Sequence, residues 1–503
     1  MQRAYVRELK PYSVIALSKL FGCSISETKS LIGKLMMRGI IRYRTGRESD
    51  PEETDVENAA PDERYQFRFV GLVMFGDIVL VAYPKYFRDR VPDDNEIALI
   101  MRVLKRDSGF VAVPYFEKGG TETNDKLPVM LALLELYDEH GIYTNYVETR
   151  TINGNGPIDW NRTINRHLPV ISNNCPVYTE FETRVSFQDD SDYITRIHRA
   201  VLTECSRELH DSGVNKLLTL NDVYLSDESV GDLGDPKILE WRLTSERSKQ
   251  FIDWKIQTLD LLERYLLRRE AEVKHDEIEA LGTTSFQHVW EVVCGAAFGN
   301  MLGYHLGSLG FTLRGNWTKR DSDTLLDIIP APKWERATNE GYVGCGNVKT
   351  LIPDTVSFAT ADDEKRTFCI YDAKYYVPSL SGRIKHQPGL DSITKQYLYQ
   401  NVYIDFALDH GFSSIVNTFL VPGDTGEPKL MARVSFTDAI FPQTISTVSK
   451  RKKLPLSEYI YMWMLPAAEI YDAYLNGKIL DTSPFLSIKT SNVEDDGLDQ
   501  PTG

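Results

Sequence analysis

The sequence predicts a multidomain α/β protein with a winged-helix-like N-terminal module, a mixed α/β domain and a C-terminal mixed sheet flanked by helices. A chain of 503 residues exceeds one ordinary domain and is long enough for more than one buried core. Some segments repeat apolar residues at helical spacing, while others concentrate Val, Phe and Tyr in short runs, so both helices and strands are expected. The 42% hydrophobic and 26% charged residues are typical of globular proteins.

Two helical patterns and a short strand pattern predict the N-terminal module. Ser24 and Glu27 have the spacing of a capping box at the start of the second helix, and Gly39 stands where that helix would end. The strand-like sequence IIRYR follows. Several lysines and arginines make the segment basic, which fits either DNA contact or a small protein-contact module with solvated charges.

Changes in composition divide the rest of the chain. An acid-rich segment with two prolines reads as a solvated linker. The hairpin pattern YQFRFVGLVMFGDIVLVAYPKYF, with its turn at Gly76-Asp77, opens the mixed α/β domain. The predicted order is a module 1–46, a linker 47–64, a mixed α/β domain 65–245, a long connecting helix 246–282, a C-terminal domain 283–488 and a disordered acidic tail 489–503.

The stretch LIPDTVSFATADDEKRTFCIYDAKYY places two carboxylates and a lysine on adjoining predicted strands. Asp372 and Lys374 are two residues apart, so they point to the same side of their strand. If PDTVSF pairs antiparallel with TFCIYDAKYY, Asp354 falls opposite residues 371–372, and both carboxylates reach one cation. Carboxylate oxygens suit Mg²⁺, with Mn²⁺ as a substitute. Lys374 would then hold a nucleophilic water or stabilise charge on a phosphate.

Helices on either side of this stretch supply two further candidates. Glu291 lies at the edge of the apolar stripe in TSFQHVWEVVCGAAFGNML and is a candidate metal ligand. Gln396 lies in the helix pattern DSITKQYLYQNVYIDFAL and is a candidate for positioning Lys374 or the water. The alternative is a surface hairpin whose charges are solvated. The apolar run FCIYDAKYY argues against it, because unpaired charge is costly among buried side chains.

The helix, strand, strand, helix order, with PD at 353–354 and DAK at 372–374, resembles the PD-(D/E)XK nuclease superfamily. FVGLVMFGDIVLVAYPKYF resembles the N-terminal strand region of McrC-type proteins. VWEVVCGAAFGN and YDAKYY…ITKQYLY are similar to LlaJI-type restriction endonucleases, and the resemblance covers residues 65–480. RecB-like relatives have Q-x-x-x-Y in the following helix. Here Gln396 is followed by Tyr399, and Gln400 takes the expected position.

The resemblance implies roles for the candidate residues and a partner for the chain. Asp354 and Asp372 would be the metal-binding acids, Lys374 the catalytic lysine and Glu291 the helix acid. The implied function is the endonuclease subunit of a GTPase-coupled restriction system, which cleaves double-stranded DNA together with a McrB-like AAA+ GTPase. The domain 65–245 would contact that partner.

Charge is consistent with a partner that grips the DNA. The net charge of −15 disfavours broad contact between this chain and a polyanion, so DNA contact would be local. Arg383, Lys385 and the basic run 450–453 are candidates for such contact, or are solvated loops. The glycine-rich GYVGCGNVKT lacks the G-K-[ST] ending of a phosphate-binding loop, so we expect no nucleotide bound by this chain.

The sequence shows neither an apolar run long enough to span a bilayer nor an apolar signal core, which predicts a cytoplasmic protein without membrane contact. The resemblance to restriction endonucleases implies that it is bacterial. Two other functions stay open. One is a RecB-like nuclease of DNA repair or of a mobile element. The other is a non-catalytic DNA-binding regulatory protein in which the N-terminal module acts and the C-terminal core is structural.

Overall fold

A computed structural model of the chain describes residues 2–44, 64–108, 126–189, 191–271, 278–339, 341–347, 349–360, 365–379, 386–436 and 459–482. Four sequence features named above lie outside the described residues: the linker apart from Arg64, the pair Arg383 and Lys385, the basic run 450–453 and the acidic tail 489–503.

Helices and strands alternate along the described part of the chain, as expected for a mixed α/β protein. The helices are α1 (Val14–Phe21), α2 (Ile25–Met37), α3 (Asp94–Ser108), α4 (Lys126–His140), α5 (Trp160–Arg166), α6 (Tyr193–Ser212), α7 (Val214–Leu218), α8 (Pro236–Arg247), α9 (Asp253–Ala271), α10 (Phe286–Ala297), α11 (Leu390–Asp409) and α12 (Ala467–Asn476). The strands are β1 (Gln2–Arg7), β2 (Pro11–Tyr12), β3 (Ile41–Tyr43), β4 (Tyr65–Phe67), β5 (Val70–Phe75), β6 (Ile78–Tyr83), β7 (Asn145–Ile152), β8 (Val170–Ser172), β9 (Cys175–Val177), β10 (Glu182–Asp189), β11 (Glu279–Thr283), β12 (Lys333–Thr338), β13 (Gly341–Asn347), β14 (Thr355–Thr360), β15 (Arg366–Ala373), β16 (Ser414–Gly423), β17 (Lys429–Val434) and β18 (Ile460–Pro466).

The chain divides into two compact units that combine segments distant in sequence. The first comprises Met1–Arg3, Val73–Val79 and Phe110–Leu281, and the second comprises Ala4–Leu72, Leu80–Gly109 and Gly282–Gly503. The first unit is mainly helical, with antiparallel strand pairs β7–β10 and β8–β9. The domain order read from the sequence stays a prediction.

The N-terminal helices and strand form as the sequence predicts. Ser24 Oγ accepts a hydrogen bond from the Glu27 N–H at 3.3 Å, and the Glu27 carboxylate accepts one from the Ser24 N–H at 2.9 Å, which completes the capping box. Helix α2 ends at Met37, shortly before Gly39 with its φ of 66°. Strand β3 lies at the edge of a three-stranded sheet of order β2-β4-β3. Strand β4 therefore belongs to this sheet, although it lies beyond the predicted boundary at residue 46.

A four-stranded sheet of order β1-β6-β5-β11 contains the predicted hairpin β5–β6, whose turn includes Gly76 at a φ of 53°. Gly282 in β11 allows a close approach to β5. A Cβ atom at Gly282 would lie 2.2 Å from the Val70 carbonyl oxygen, so any larger residue would force these strands apart.

The single long helix predicted over residues 246–282 is wrong. Helix α8 ends at Arg247, α9 begins at Asp253, and Glu279–Thr283 is the strand β11. Between the two helices, the Gln250 side-chain oxygen accepts hydrogen bonds from the N–H groups of Phe251 at 3.1 Å and Ile252 at 3.3 Å. This side chain competes with helical backbone bonding, a local effect that apolar periodicity does not reveal.

The C-terminal part contains a five-stranded mixed sheet of order β14-β15-β16-β18-β17. The β14–β15 and β17–β18 pairs are antiparallel, and the β15–β16 and β16–β18 pairs are parallel. Helix α11 covers one face, where Phe368 and Ile370 of β15 share a buried cluster with Tyr403. Helix α10 lies on the other face, where Phe298, at its end, packs on Tyr371 with ring centroids 5.0 Å apart.

One feature between α10 and β14 was not predicted. Strands β12 and β13 form an antiparallel hairpin, and Trp334 and Tyr342 on it are 65% and 75% exposed. Among the described residues, no helix is both long enough and apolar enough to cross a membrane.

Replacing the fully buried Leu306 with Ala is expected to destabilise the second unit by about 2–5 kcal/mol, because it leaves a cavity in the cluster beneath β14 and β15. Urea unfolding followed by tryptophan fluorescence measures the change. The matched control is Leu390→Ala on α11, where the side chain is 67% exposed and the expected change is within about 0.5 kcal/mol. Equal effects of the two substitutions would contradict this assignment of the core.

Candidate active site

Strand pairing brings the two predicted carboxylates together. Thr355 of β14 lies opposite Tyr371 of β15, which places Asp354 at the level of Asp372. Asp354 Oδ2 accepts a hydrogen bond from the Ala373 N–H at 2.9 Å. The antiparallel pairing predicted from the sequence is confirmed in its register.

The two aspartates extend from the face of the sheet that α11 covers. Val356 and Ile370, two residues from Asp354 and Asp372 respectively, are both buried in the cluster under this helix. Because strand side chains alternate between faces, residues two apart lie on one side. The carboxylates therefore continue an apolar stripe to the end of the strand pair instead of pointing into open solvent.

Lys374 lies beside Asp372 and is fixed through its backbone. Its Nζ is 2.9 Å from Asp372 Oδ2. Its N–H donates to the Leu420 carbonyl of β16 at 2.8 Å, and the indole N–H of the fully buried Trp290 donates to the same carbonyl at 3.1 Å. Strand β16 and helix α10 together thus determine where the lysine backbone lies.

Burial and like charge perturb this cluster. Asp372 is only 7% exposed. Burial raises the pKa of Asp354 well above its usual range, and the negative charge of Asp372 raises it further, although Lys374 opposes the shift. For Lys374, burial alone lowers the pKa, but the charge of Asp372 and its hydrogen bond outweigh burial, so the pKa is raised overall. The lysine therefore stays a cation, while two carboxylates compete for its charge.

The residue after Lys374 is anchored by a second buried polar cluster. The Tyr375 hydroxyl donates a hydrogen bond to the Glu8 carboxylate, and Lys85 Nζ lies 4.4 Å from the centroid of the Tyr375 ring. The Lys85 N–H also donates to Glu8 Oε2 at 3.3 Å. Glu8 and Lys85 are 6% and 0% exposed. This cluster ties the segment before α1 to the strand end that carries the lysine.

Glu291 lies on the wall of the same cleft as Asp354, a cleft of about 890 Å³ that Asn300 also lines. Its carboxylate accepts a hydrogen bond from Gln287 Nε2 at 3.2 Å and lies 3.6 Å from His288 Nδ1. Among the described residues, no three His, Cys, Asp or Glu side chains are close enough together to form a metal site. A role for Glu291 as third ligand thus stays a prediction.

Gln396 is completely buried in α11. Asn417 Nδ2 of β16 donates to its backbone carbonyl at 3.4 Å and to Gln400 Oε1 at 2.7 Å. The two side-chain amide atoms of Gln396 form no hydrogen bond within the described part of the chain. Gln396 therefore makes no side-chain hydrogen bond that would position Lys374 in the described part of the chain, and this role stays a prediction.

Two residues were not predicted to act at the site. The Tyr399 hydroxyl donates to the Ile352 carbonyl at 2.9 Å, and its pKa is raised by burial and by the nearby carboxylates of Asp372 and Asp354. Asn300, just after α10, donates through Nδ2 to the Asp354 carbonyl at 3.0 Å. Its Oδ1 accepts from the Val356 N–H at 3.2 Å. The sequence offered one signal for each residue. Tyr399 departs from the Q-x-x-x-Y spacing, and Asn300 follows Gly299 directly after α10.

The donor chemistry of Asp354 and Asp372 fits a hard divalent cation such as Mg²⁺. Two carboxylates at the end of one strand pair provide oxygen ligands. Burial first, and then the negative charge of Asp372, raise the pKa of Asp354, so ionising both groups without a cation is unfavourable. A bound dication would relieve this repulsion and favour ionisation of both aspartates.

The sequence model for the LlaJI restriction endonuclease family matches residues 69–442, a span that includes the whole aspartate–lysine cluster. The match covers well over half of the chain, and the class of the protein is accordingly that of a restriction endonuclease component. The chain belongs to the LlaJI restriction endonuclease family.

One relative is described in terms that agree with this assignment. The chain is 26% identical over 428 residues to the type II restriction enzyme BsuMI component YdjA of Bacillus subtilis (strain 168), covering 83% of this chain and 82% of that protein.

Two solved structures show weak likeness. One is a half-complex from a tetradecameric assembly of Thermococcus gammatolerans McrB AAA+ hexamers with bound McrC, with a TM-score of 0.36, 12% identity, and coverage of 94% of this chain and 99% of that chain. The other is the Thermococcus gammatolerans McrBC complex, with a TM-score of 0.20, 12% identity, and coverage of 54% and 87%. Both TM-scores are too low to support a conclusion about the fold or partners of this chain.

Replacing Asp354 with Asn is expected to stabilise the metal-free protein at mildly basic pH. Because the folded-state pKa of Asp354 is raised, the unfolded chain releases this proton at lower pH than the folded protein. Wild-type stability should therefore fall as the pH rises from the unfolded-state pKa to the folded-state pKa, and the Asn variant should lack this fall. We expect a gain on the order of 1–3 kcal/mol above that window.

Urea unfolding in EDTA at a series of pH values measures this difference. The matched control is Asp405→Asn, which removes an exposed carboxylate from α11 and should leave the pH dependence unchanged. Added Mg²⁺ should stabilise the wild type more than the Asp354 variant. Identical pH profiles for the wild type and Asp354→Asn would contradict the raised pKa of Asp354.

Proposed function

We propose that this chain is the Mg²⁺-dependent endonuclease subunit of a GTPase-coupled restriction system and cleaves phosphodiester bonds of double-stranded DNA. The observation that carries the proposal is the buried cluster of Asp354, Asp372 and Lys374, in which the lysine ammonium is 2.9 Å from one carboxylate. Family membership supports the nuclease class.

Different residues of this chain would have different roles in hydrolysis. Mg²⁺ held by Asp354 and Asp372, with Mn²⁺ as a substitute, would neutralise phosphate charge and make a water molecule more acidic. Lys374 keeps its positive charge in the folded protein and would stabilise the negative charge that develops on the phosphate. The Ala373 N–H and Asn300 hold Asp354 in place, so little reorganisation is needed when substrate binds.

Two residues would have supporting roles. Glu291 would approach from the wall of the cleft as a further ligand, once its contacts with Gln287 and His288 are exchanged. Gln396 would use its buried amide to position Lys374 or the attacking water. Both roles follow the resemblance to PD-(D/E)XK nucleases and rest on placement near the cluster.

A McrB-like AAA+ GTPase is the proposed partner, contacting residues 65–245. A net charge of −15 favours a partner that grips the DNA. The strand pair β7–β10 in this region exposes apolar side chains: Phe187 lies opposite Val147, and they are 49% and 40% exposed. Tyr146 next to them is 67% exposed. Exposed apolar residues grouped in this way are typical of protein contact surfaces.

Plasmid cleavage in Mg²⁺ or Mn²⁺ tests the site. The variants Asp354→Asn, Asp372→Asn and Lys374→Met should each lower the rate by about a hundredfold or more, because each removes charge stabilisation from the transition state. EDTA should abolish cleavage. The matched controls Asp405→Asn and Lys395→Met change exposed side chains of α11 and should cut like the wild type.

Cleavage by all three site variants at the wild-type rate would show that the cluster is structural. If the wild type cuts no DNA with any metal or partner while still binding it, the non-catalytic DNA-binding function would replace the proposal.

Cleavage is further expected to require GTP and a McrB-like AAA+ GTPase as partner. Phe187→Asp should weaken co-elution of the two proteins by gel filtration, since it places a charge in the exposed apolar group of β7–β10. The matched control is Phe251→Asp, at a position that is 88% exposed but outside residues 65–245. Full activity of the isolated chain without GTP would favour the RecB-like nuclease function instead.

A further inference from the structure

The N-terminal module lies outside the residues that define the family and has no place in the proposed chemistry. The family match begins at residue 69, whereas the sheet of the module ends with β4 at Phe67. The module comprises α1, α2 and the strands β2, β3 and β4. The module therefore calls for a function separate from that of the aspartate–lysine cluster.

The two helices form a helix-turn-helix. Three residues join α1 to α2, beginning with Gly22 in the left-handed conformation at a φ of 62°. Ser18 Oγ donates to the Cys23 carbonyl at 2.7 Å, and Ser24 caps α2, so the turn is fixed at both ends. The antiparallel pair β3–β4 follows α2 in the position of a wing. Helix, tight turn, helix and wing is the order found in DNA-binding modules of this type.

One side of α2 is buried and the opposite side is open. Thr28, Ile32 and Leu35 face the core of the module. On the open side, Ser26, Lys29 and Ser30 are exposed and Gly33 is half-buried; the other exposed residues of α2 are Glu27 of the capping box, Ile25 at its start, and Met36 and Met37 at its end. A Cβ atom at Gly33 would have no neighbour within 4 Å, so the middle of this face is unobstructed. Hydroxyl and ammonium donors around a glycine allow close approach to base edges and phosphates.

The described residues of the module carry charge of the opposite sign to the charge on the chain. Residues 13–44 contain six Lys and Arg and one acidic residue, Glu27, within a protein of net charge −15. Arg64 and Arg68, beside β4, add two more positive charges. On the wing, the Arg64 guanidinium donates to the hydroxyl of the half-exposed Tyr43 at 3.3 Å. This positive charge on the described helices and strands of the module complements a polyanion.

We propose that this module binds double-stranded DNA, with α2 in the major groove and the wing β3–β4 against the phosphate backbone. This site is separate from the proposed nuclease centre, and its binding requires neither metal nor cleavage. Lys29 contacts phosphate or base edges, and Gly33 lets the helix approach closely. Residues 45–63, which join the wing strands, are rich in acidic residues and lie outside the described residues, so the test leaves them unchanged.

The experiment measures the affinity of the full-length protein for a short fluorescein-labelled duplex by anisotropy, in EDTA and at several salt concentrations. Lys29→Glu and Gly33→Glu should each weaken binding by about tenfold or more, and Lys29→Glu should lower the salt slope by about one. The matched control Lys237→Glu makes the same charge change at an exposed lysine of α8 and should bind like the wild type. Gly33→Ala should also keep its affinity, because it adds only a methyl group where space is open.

Circular dichroism and thermal unfolding check that each variant is folded. If Gly33→Glu does not fold, Lys29→Glu still tests the proposal, because Lys29 is exposed. Equal affinity and salt slope for Lys29→Glu, Gly33→Glu and Lys237→Glu would overturn the proposal. So would variants that keep their DNA affinity but lose co-elution with the GTPase, since the module would then be a protein contact. Asp372→Asn separates the two proposals: it should bind the duplex normally whether or not the wild type cleaves DNA.

Discussion

The position of β15 between β14 and β16 is the constraint on which the candidate site depends. Antiparallel bonding to β14 fixes the register that brings Asp354 level with Asp372, and parallel bonding to β16 fixes the backbone of Lys374 through Leu420. A strand bonded on both sides cannot slip by one residue, because slippage would move its buried side chains to the opposite face. The buried apolar residues of β15 therefore determine the positions of Asp372 and Lys374 at its end.

The same burial that fixes the register makes the cluster electrostatically unfavourable without a cation. Two carboxylates and one ammonium lie where water is largely excluded, and burial together with the charge of Asp372 raises the pKa of Asp354. The surroundings supply partial compensation through the Ala373 N–H and Lys374. Without a cation, Asp354 can hold a proton, and a bound dication would displace that proton and favour ionisation of both aspartates.

An acidic nuclease must separate its chemistry from its contact with DNA. The carboxylates that attract metal also repel phosphate, so positive charge for holding the duplex has to lie elsewhere in the chain or on a partner. The basic residues of the helix-turn-helix are candidates for the first, and the exposed apolar pair of β7–β10 is a candidate contact with such a partner. The buried contact between Glu8 and Tyr375 connects the segment before the helix-turn-helix to the strand end beside Lys374.

Local patterns determined much of what the sequence alone predicts. The capping box at Ser24 and the pairing of Asp354 with Asp372 depend on residues close in sequence, where spacing and strand alternation are sufficient. Tertiary structure alone decided the roles of Asn300 and Tyr399, since their contacts join segments about fifty residues apart. The break before α9 is a local effect that apolar periodicity also misses, because the Gln250 side chain bonds the backbone of the next two residues. Apolar periodicity records which side of an element is buried, but not which distant backbone group meets a particular polar side chain.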